Sequence, residues 1–309
     1  MRPFEWGVAT TGYQWREGYV IMHDKTITPG YGDPSWNTRM RFLTPGTASD
    51  WKIYRPLETP HLLETFANIE LTERGIEAFA NTFGMLAGGW QVPFVDGPVA
   101  DGETFAWWEQ EVLAVRHALR VWATIQAGDQ ETLTGWFHLK EAPPYATICY
   151  GPGEPLFMWI ARAEVMSVQS LHERWGENPT LLHAERPFCC EVLNMRAGGL
   201  DATGLAVTWL QNHINRHLWM DVGAAVSPVD TARASLPMDL EIVPKNLRGA
   251  LWLQLAEALR RHEGYQQCPI CHQVFHVHAK ARRASTTYCS PRCRVRAARQ
   301  RQTQAGQAG

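Results

Sequence analysis

Four of the seven cysteines in this 309-residue chain fall in one stretch, Cys268, Cys271, Cys289 and Cys293, spaced C-x2-C-x17-C-x3-C. Two close pairs about 15 to 20 residues apart are what a tetrahedral Zn²⁺ site uses, because soft thiolates then arrive from both ends of one loop. Four cysteines fill the shell. A catalytic zinc keeps one position open, so this zinc is expected to be structural, and His272, His276 and His278 in the same stretch are surplus ligands. Disulfides are the alternative in a secreted chain. The opening MRPFEWGVATTGYQW lacks a basic start followed by an apolar run, however, and no stretch reaches the 18 or so apolar residues of a membrane span. The protein is therefore expected to be cytoplasmic, where paired cysteines serve as metal ligands.

Charge sets the same stretch apart. From Gly264 to Gly309 there are eight basic residues, Lys280, Arg282, Arg283, Arg292, Arg294, Arg296, Arg299 and Arg301, and no acidic one. The preceding 263 residues hold 21 basic and 31 acidic residues, so an overall charge of −2 conceals a basic end on an acidic body. Pro291 disfavours helix at Ser290 and suits the first helical position, so a helix should begin there and carry Cys293 in its first turn. On that helix Arg292, Arg296 and Arg299 share one face while Arg294 and Arg301 occupy another. Such a helix repels itself unless a polyanion meets it. Nucleic-acid phosphates would do so, with DNA placed ahead of RNA, and a purely structural or protein-binding finger is the competing possibility.

The rest of the chain must position this module. Residues 1 to 50 are dense in Gly, Pro and Thr and read as an irregular or β-containing cap. Thr59 with Pro60 predicts one short helix and Thr72 caps another. The clearest helix starts near Glu103, with Phe105, Trp108, Val112, Val115, Leu119 and Trp122 on one face. A short helix is expected in ETLTGWFHLKEA, a longer one in LDATGLAVTWLQNHINRHLW, a strand in MDLEIVP, and a last helix from cap Asn246 to a stop at Gly264. Val274 to Val277 and Thr286 to Tyr288 are expected to form the finger's hairpin. Most of the 14 tryptophans fall at helical core positions; the alternative use is an aromatic-lined pocket for a small-molecule or protein effector. The fold expected is mainly α with minor β: a helical body over 1–263, a four-cysteine finger over 264–302, and a disordered tail over 303–309.

The segment CPICHQVFHVHAKARRASTTYCSPRCRVRAARQRQ resembles the C-terminal zinc finger of bacterial CGNR-type proteins, and two stretches, 54–126 and 240–302, are similar to uncharacterised proteins bearing such a finger. Where that family has Cys-Gly-Asn-Arg, this chain reads Cys293-Arg294-Val295-Arg296. The resemblance implies a treble-clef-like finger that binds DNA and a regulator whose body senses an effector.

No catalytic pattern competes with this. His213 and His217 have the four-residue spacing of a metal pair but no Glu follows the first, Cys149, Cys189 and Cys190 read as core thiols, and Glu64, Glu73, Glu109 and Glu111 form no distinctive acid and base pair. There is no G-x-S-x-G, P-loop or dinucleotide fingerprint, and no Asn follows the finger's histidines as a nuclease of the HNH type would require.

Overall fold

The computed structural model describes residues 4–23, 26–27, 37–46, 50–87, 90–142, 145–150, 190–193, 200–228, 238–277 and 287–307. The chain opens with strands β1 (Trp6–Ala9), β2 (Tyr13–His23), β3 (Thr26–Ile27), β4 (Asn37–Pro45) and β5 (Trp51–Tyr54). A 3-10 turn (Pro56–Glu58) leads to helices α1 (Leu62–Ala67) and α2 (Glu73–Phe83), then strands β6 (Trp90–Pro93) and β7 (Val99–Thr104). The long helix α3 (Phe105–Ala127) and short α4 (Gln130–Trp136) precede β8 (Phe137–Ala142), β9 (Tyr145–Tyr150) and β10 (Cys190–Leu193). Helix α5 (Ala202–Asp221), β11 (Val222–Pro228), β12 (Met238–Pro244) and α6 (Leu247–Arg260) follow. The end is β13 (Gly264–Gln267), β14 (Val274–Val277) and α7 (Pro291–Gln307).

The architecture is mixed α/β, which corrects the expectation of a mainly helical body: fourteen strands accompany seven α-helices among the described residues. Strands β3-β2-β4-β7-β6 form a five-stranded sheet whose described pairings are antiparallel, and β10-β9-β8 form a three-stranded one. Three two-stranded pairs, β1–β5, β11–β12 and β13–β14, complete the set. Several of these strands follow a helix with no intervening Gly or Pro. Phe137 succeeds Trp136 and Val222 succeeds Asp221 directly, so the change of period from 3.6 to 2 carries no punctuation.

Helix α3 is the axis of the core. Thr104 caps it by accepting from the Trp107 N–H at 3.2 Å, and Gly128, at φ 67°, ends it in the left-handed conformation a glycine tolerates. Trp108, Val112, Val115 and Leu119 are buried as their spacing requires, while Phe105 and Trp122 pack from the margin. Trp108, Trp209 and Trp252, from α3, α5 and α6, are fully buried in one cluster. Each supplies roughly 4–6 kcal/mol of transfer free energy at about 25 cal/mol per Å². This bears out the core reading for those three; Trp219, by contrast, is 82% exposed, and Trp159 and Trp175 lie outside the described residues.

Thr72 caps α2 as expected, accepting from Gly75 N–H at 3.0 Å, and Asn246 caps α6, accepting from Gly249 N–H at 2.8 Å. Thr59 does not cap. Its hydroxyl donates to the Arg55 carbonyl at 2.8 Å, and α1 starts instead after His61, which sits at φ 59°. Helix α6 ends at Arg260, before Gly264, through His262 at φ 54°. Glycine is required at 249, where a Cβ would lie 2.3 Å from the Asp221 carbonyl oxygen. That contact seats the start of α6 against the end of α5.

Candidate metal centre and basic helix

Strands β13 and β14 pair antiparallel, Gln267 opposite Val274, and the loop between them carries Cys268 and Cys271. The expected partner of Val274 to Val277 was Thr286 to Tyr288; the actual one is Gly264–Gln267, because the turn at the first cysteine pair closes a hairpin locally. In that turn Cys268 N–H donates to Gln273 O at 2.9 Å and His272 N–H to Cys268 O at 2.8 Å. His272 adopts φ 58°, a conformation costing an L-residue roughly 1–2 kcal/mol. The change His272→Gly should therefore raise stability by about 0.5–1 kcal/mol, less than the full strain because glycine gains freedom when unfolded. A urea midpoint unchanged or lowered in that variant would show that the imidazole makes up for its backbone.

The second pair is placed by a helix start. Ser290 Oγ accepts from Cys293 N–H at 3.3 Å and Ser290 O from Arg294 N–H at 3.2 Å, with Pro291 at the first helical position. This is the expected arrangement, with Cys293 in the first turn. The four sulfurs all lie within 4.8 Å of one another, with Cys271 to Cys289 at 3.4 Å and Cys289 to Cys293 at 3.7 Å. Disulfide sulfurs would sit about 2.05 Å apart. Four sulfurs about 2.3 Å from a tetrahedral ion are about 3.8 Å from each other, so the cluster fits one metal ion such as zinc.

The thiols' own chemistry asks for a cation. Burial raises the Cys268 pKa, but backbone N–H groups, those of Cys271 and Ile270 among them, overcome it and bring it to about 6. Burial and the neighbouring sulfurs push Cys289 up to about 12, and burial raises Cys271. So crowded a set does not hold four thiolate charges alone; a divalent ion held there would neutralise them and displace their protons. His272 is exposed and outside the cluster, His276 lies 3.4 Å from Glu263, and His278 is outside the described residues.

The hairpin half of this module belongs to the body's core. Tyr265 and Val274 are buried in the same hydrophobic cluster as Trp108 and Trp252. The Asn68 side chain donates to Val274 O at 2.7 Å and accepts from Val274 N–H at 2.9 Å, pinning β14 to the end of α1. Trp122 Nε1 donates to Glu263 O at 2.9 Å. Tyr265 thus faces the body.

Helix α7 differs. Over 291–303 only Cys293 and Ala297 are buried, while Arg292, Arg294, Arg296, Arg299 and Arg301 are all exposed. No carboxylate among the described residues pairs with Arg292, Arg296, Arg299 or Arg301. The helix continues to Gln307, past the boundary expected at 302. Lys280, Arg282 and Arg283 lie outside the described residues.

Sequence reasoning missed a second polar constellation. Arg248 grips Asp221 with Nε at 2.7 Å and Nη2 at 2.9 Å, and reaches Glu111 with Nη1 at 3.0 Å. Its guanidinium also lies over the Trp107 ring, 4.4 Å from the centroid. Burial raises the Glu111 pKa against the pull of Arg248. His213 and His217 stack on Trp209 and Trp252, at 4.7 and 3.9 Å between ring centroids. Burial, aided by nearby positive groups, lowers them to about 4 and about 2, so they stay neutral. Glu103 is likewise buried, raised to about 7 by burial while the Ala87 and Leu86 N–H groups pull it down. Glu64 contacts His61 at 3.2 Å and Glu73 pairs with Arg41, neither beside a partner acid. The only residue set able to hold a metal ion among the described residues is the four cysteines.

No helix among the described residues is long and apolar enough to cross a membrane. Comparison with family models, with curated proteins and with solved structures finds no significant match to this chain.

Proposed function

We propose that this chain is a zinc-dependent nucleic-acid-binding protein, a bacterial transcription regulator whose C-terminal finger meets duplex DNA while the body receives an effector. The observation that carries the reading is α7: five exposed arginines on a helix whose first turn carries Cys293 of the four-cysteine cluster. A cluster of guanidinium groups with so few carboxylates at hand suits phosphate oxygens, which accept two parallel N–H bonds each. Zinc is the ion of choice for four thiolates in a tetrahedron, and it acts here as a structural strut. The resemblance of 268–302 to CGNR-type fingers points the same way, and thiolate ligands suit a cytoplasmic setting. The reading is of a binding protein and assigns no catalytic residue.

The metal-loaded protein should bind random duplex DNA with a logarithmic salt slope that counts the phosphates neutralised. Replacing Arg292, Arg296 and Arg299 together by Ala should reduce that slope by about 2.7, at about 0.9 per phosphate, and weaken binding 10-fold or more. An anisotropy titration at two salt concentrations, on duplex DNA and on RNA, reads this directly. Absence of binding to both polymers at low salt rejects the reading.

A second reading has its own support. The pinning of β14 by Asn68 and the burial of Tyr265 make half of the module a structural part of the body. In that case α7 meets an acidic protein surface, and the arginine variant loses a protein partner with DNA binding already absent.

A further inference from the structure

Beside the cysteine loop, where it packs on α3, lies a cavity of about 120 Å³ lined by Arg116, His117 and Arg120 of α3, by Asn68, and by Gln267 and His272 of the loop. By the same measure a single water occupies about 10–15 Å³, so a tetrahedral anion fits with room for its hydration. Its lining is basic and unneutralised: neither Arg116 nor Arg120 pairs with a carboxylate among the described residues. Arg116 spends donors on the Ala67 and Ile69 carbonyls, which fixes the side chain at the end of α1. Arg120 is held with its guanidinium 4.4 Å from the centroid of the Trp136 ring. A second sign of excess positive potential is His117, whose pKa falls to about 4 through burial and then through the charges of Arg120 and Arg116.

We infer that this cavity is a phosphate seat, a second contact through which the body itself grips the nucleic-acid backbone alongside α7. The inference rests on the nucleic-acid reading above and deepens it. Continuity is structural: His272 follows Cys271, whose sulfur lies 3.4 Å from that of Cys289, two residues before α7 begins. Cavity and basic helix thus both adjoin the four-cysteine cluster. Half-buried, planar arginine forks suit phosphate oxygens, and the fixed side chains lose little freedom on binding.

The test is an anisotropy titration of the full metal-loaded chain with a labelled random duplex over a series of salt concentrations, comparing wild type with Arg120→Gln and Arg120→Lys. Arg120→Gln is expected to lower the salt slope by about 0.9 and to raise the dissociation constant about 3- to 10-fold, with metal content and melting temperature unchanged. Arg120→Lys, which keeps the charge, should restore the slope. If wild type binds DNA and Arg120→Gln binds with the same slope and affinity, the seat is refuted while the nucleic-acid reading stands. If Arg120→Lys behaves as Arg120→Gln, the loss comes from stacking on Trp136, and the seat is refuted again. If wild type itself binds no nucleic acid, both readings fall.

Discussion

Removing the proposed metal, by chelation or by Cys268→Ser, should destabilise the whole body by about 3–5 kcal/mol, a fall of about 10 °C in melting temperature. Cys268 is a fully buried cysteine at the mouth of the β13–β14 hairpin, and that hairpin brings Tyr265 and Val274 into the main core. Burial of one large aromatic and one valine stabilises by roughly that amount or more at about 25 cal/mol per Å². Without an ion, four crowded thiols lose the attraction that closes the loop, and the hairpin's hold reduces to two strands and the Asn68 bonds. An isolated two-stranded hairpin is marginal in water. Thermal melting by circular dichroism, run with thiol-reagent titration, checks this: four thiols should become reactive as the melting point falls. If the four thiols react freely while the melting point holds, the hairpin is anchored by the body and the metal orders α7 alone.

Arg248→Met should cost about 3–5 kcal/mol, because it strips the guanidinium from two buried carboxylates at once. Glu111 and Asp221 would keep only neutral partners, Trp252 and Asn246 among them. The effect has a defined pH dependence. Glu111 already titrates above its ordinary value through burial, with Arg248 opposing. Without Arg248 its folded-state pKa rises further above the unfolded value, so the folded state binds a proton that the unfolded state has released. A raised pKa of this kind leaves stability intact below the unfolded value and removes it as pH rises through the folded one. The deficit against wild type should accordingly be larger at pH 8 than at pH 5. The triple neutral change Glu111→Gln, Asp221→Asn and Arg248→Met should recover most of the loss, since a buried ion trio contributes little over neutral groups of similar volume. Urea unfolding at the two pH values measures both effects; a single variant as stable as wild type at pH 8 would mean that water reaches the carboxylates.

Legibility differed sharply between short-range and long-range features. Thr72, Asn246 and Pro291 could be placed from sequence because a cap or a helix start is decided within four residues. The face of α3 was legible because it repeats over 23 residues. The strand at Met238–Pro244 was legible too, but the strand pairings were not. The pairing of Val222–Pro228 with Met238–Pro244, or of Tyr13–Pro45 at the ends of β2 and β4, joins residues far apart in the chain, and a strand has no local hydrogen bonds to announce it.

For the candidate site the division follows the same physics. The four cysteines and their two-pair spacing were legible in the sequence alone, because soft-ligand count and spacing answer to the coordination shell a metal would need rather than to the surrounding fold. So were the basic character and start of α7. Only the tertiary structure decided that the hairpin packs into the body, that Arg116, His117 and Arg120 face the cysteine loop, and that Glu111, Asp221 and Arg248 meet. These groups come from segments up to 206 positions apart, as at Asn68 and Val274. No local signal marks such meetings, because they form only when burial of the tryptophan core brings α3, α5, α6 and the hairpin against one another.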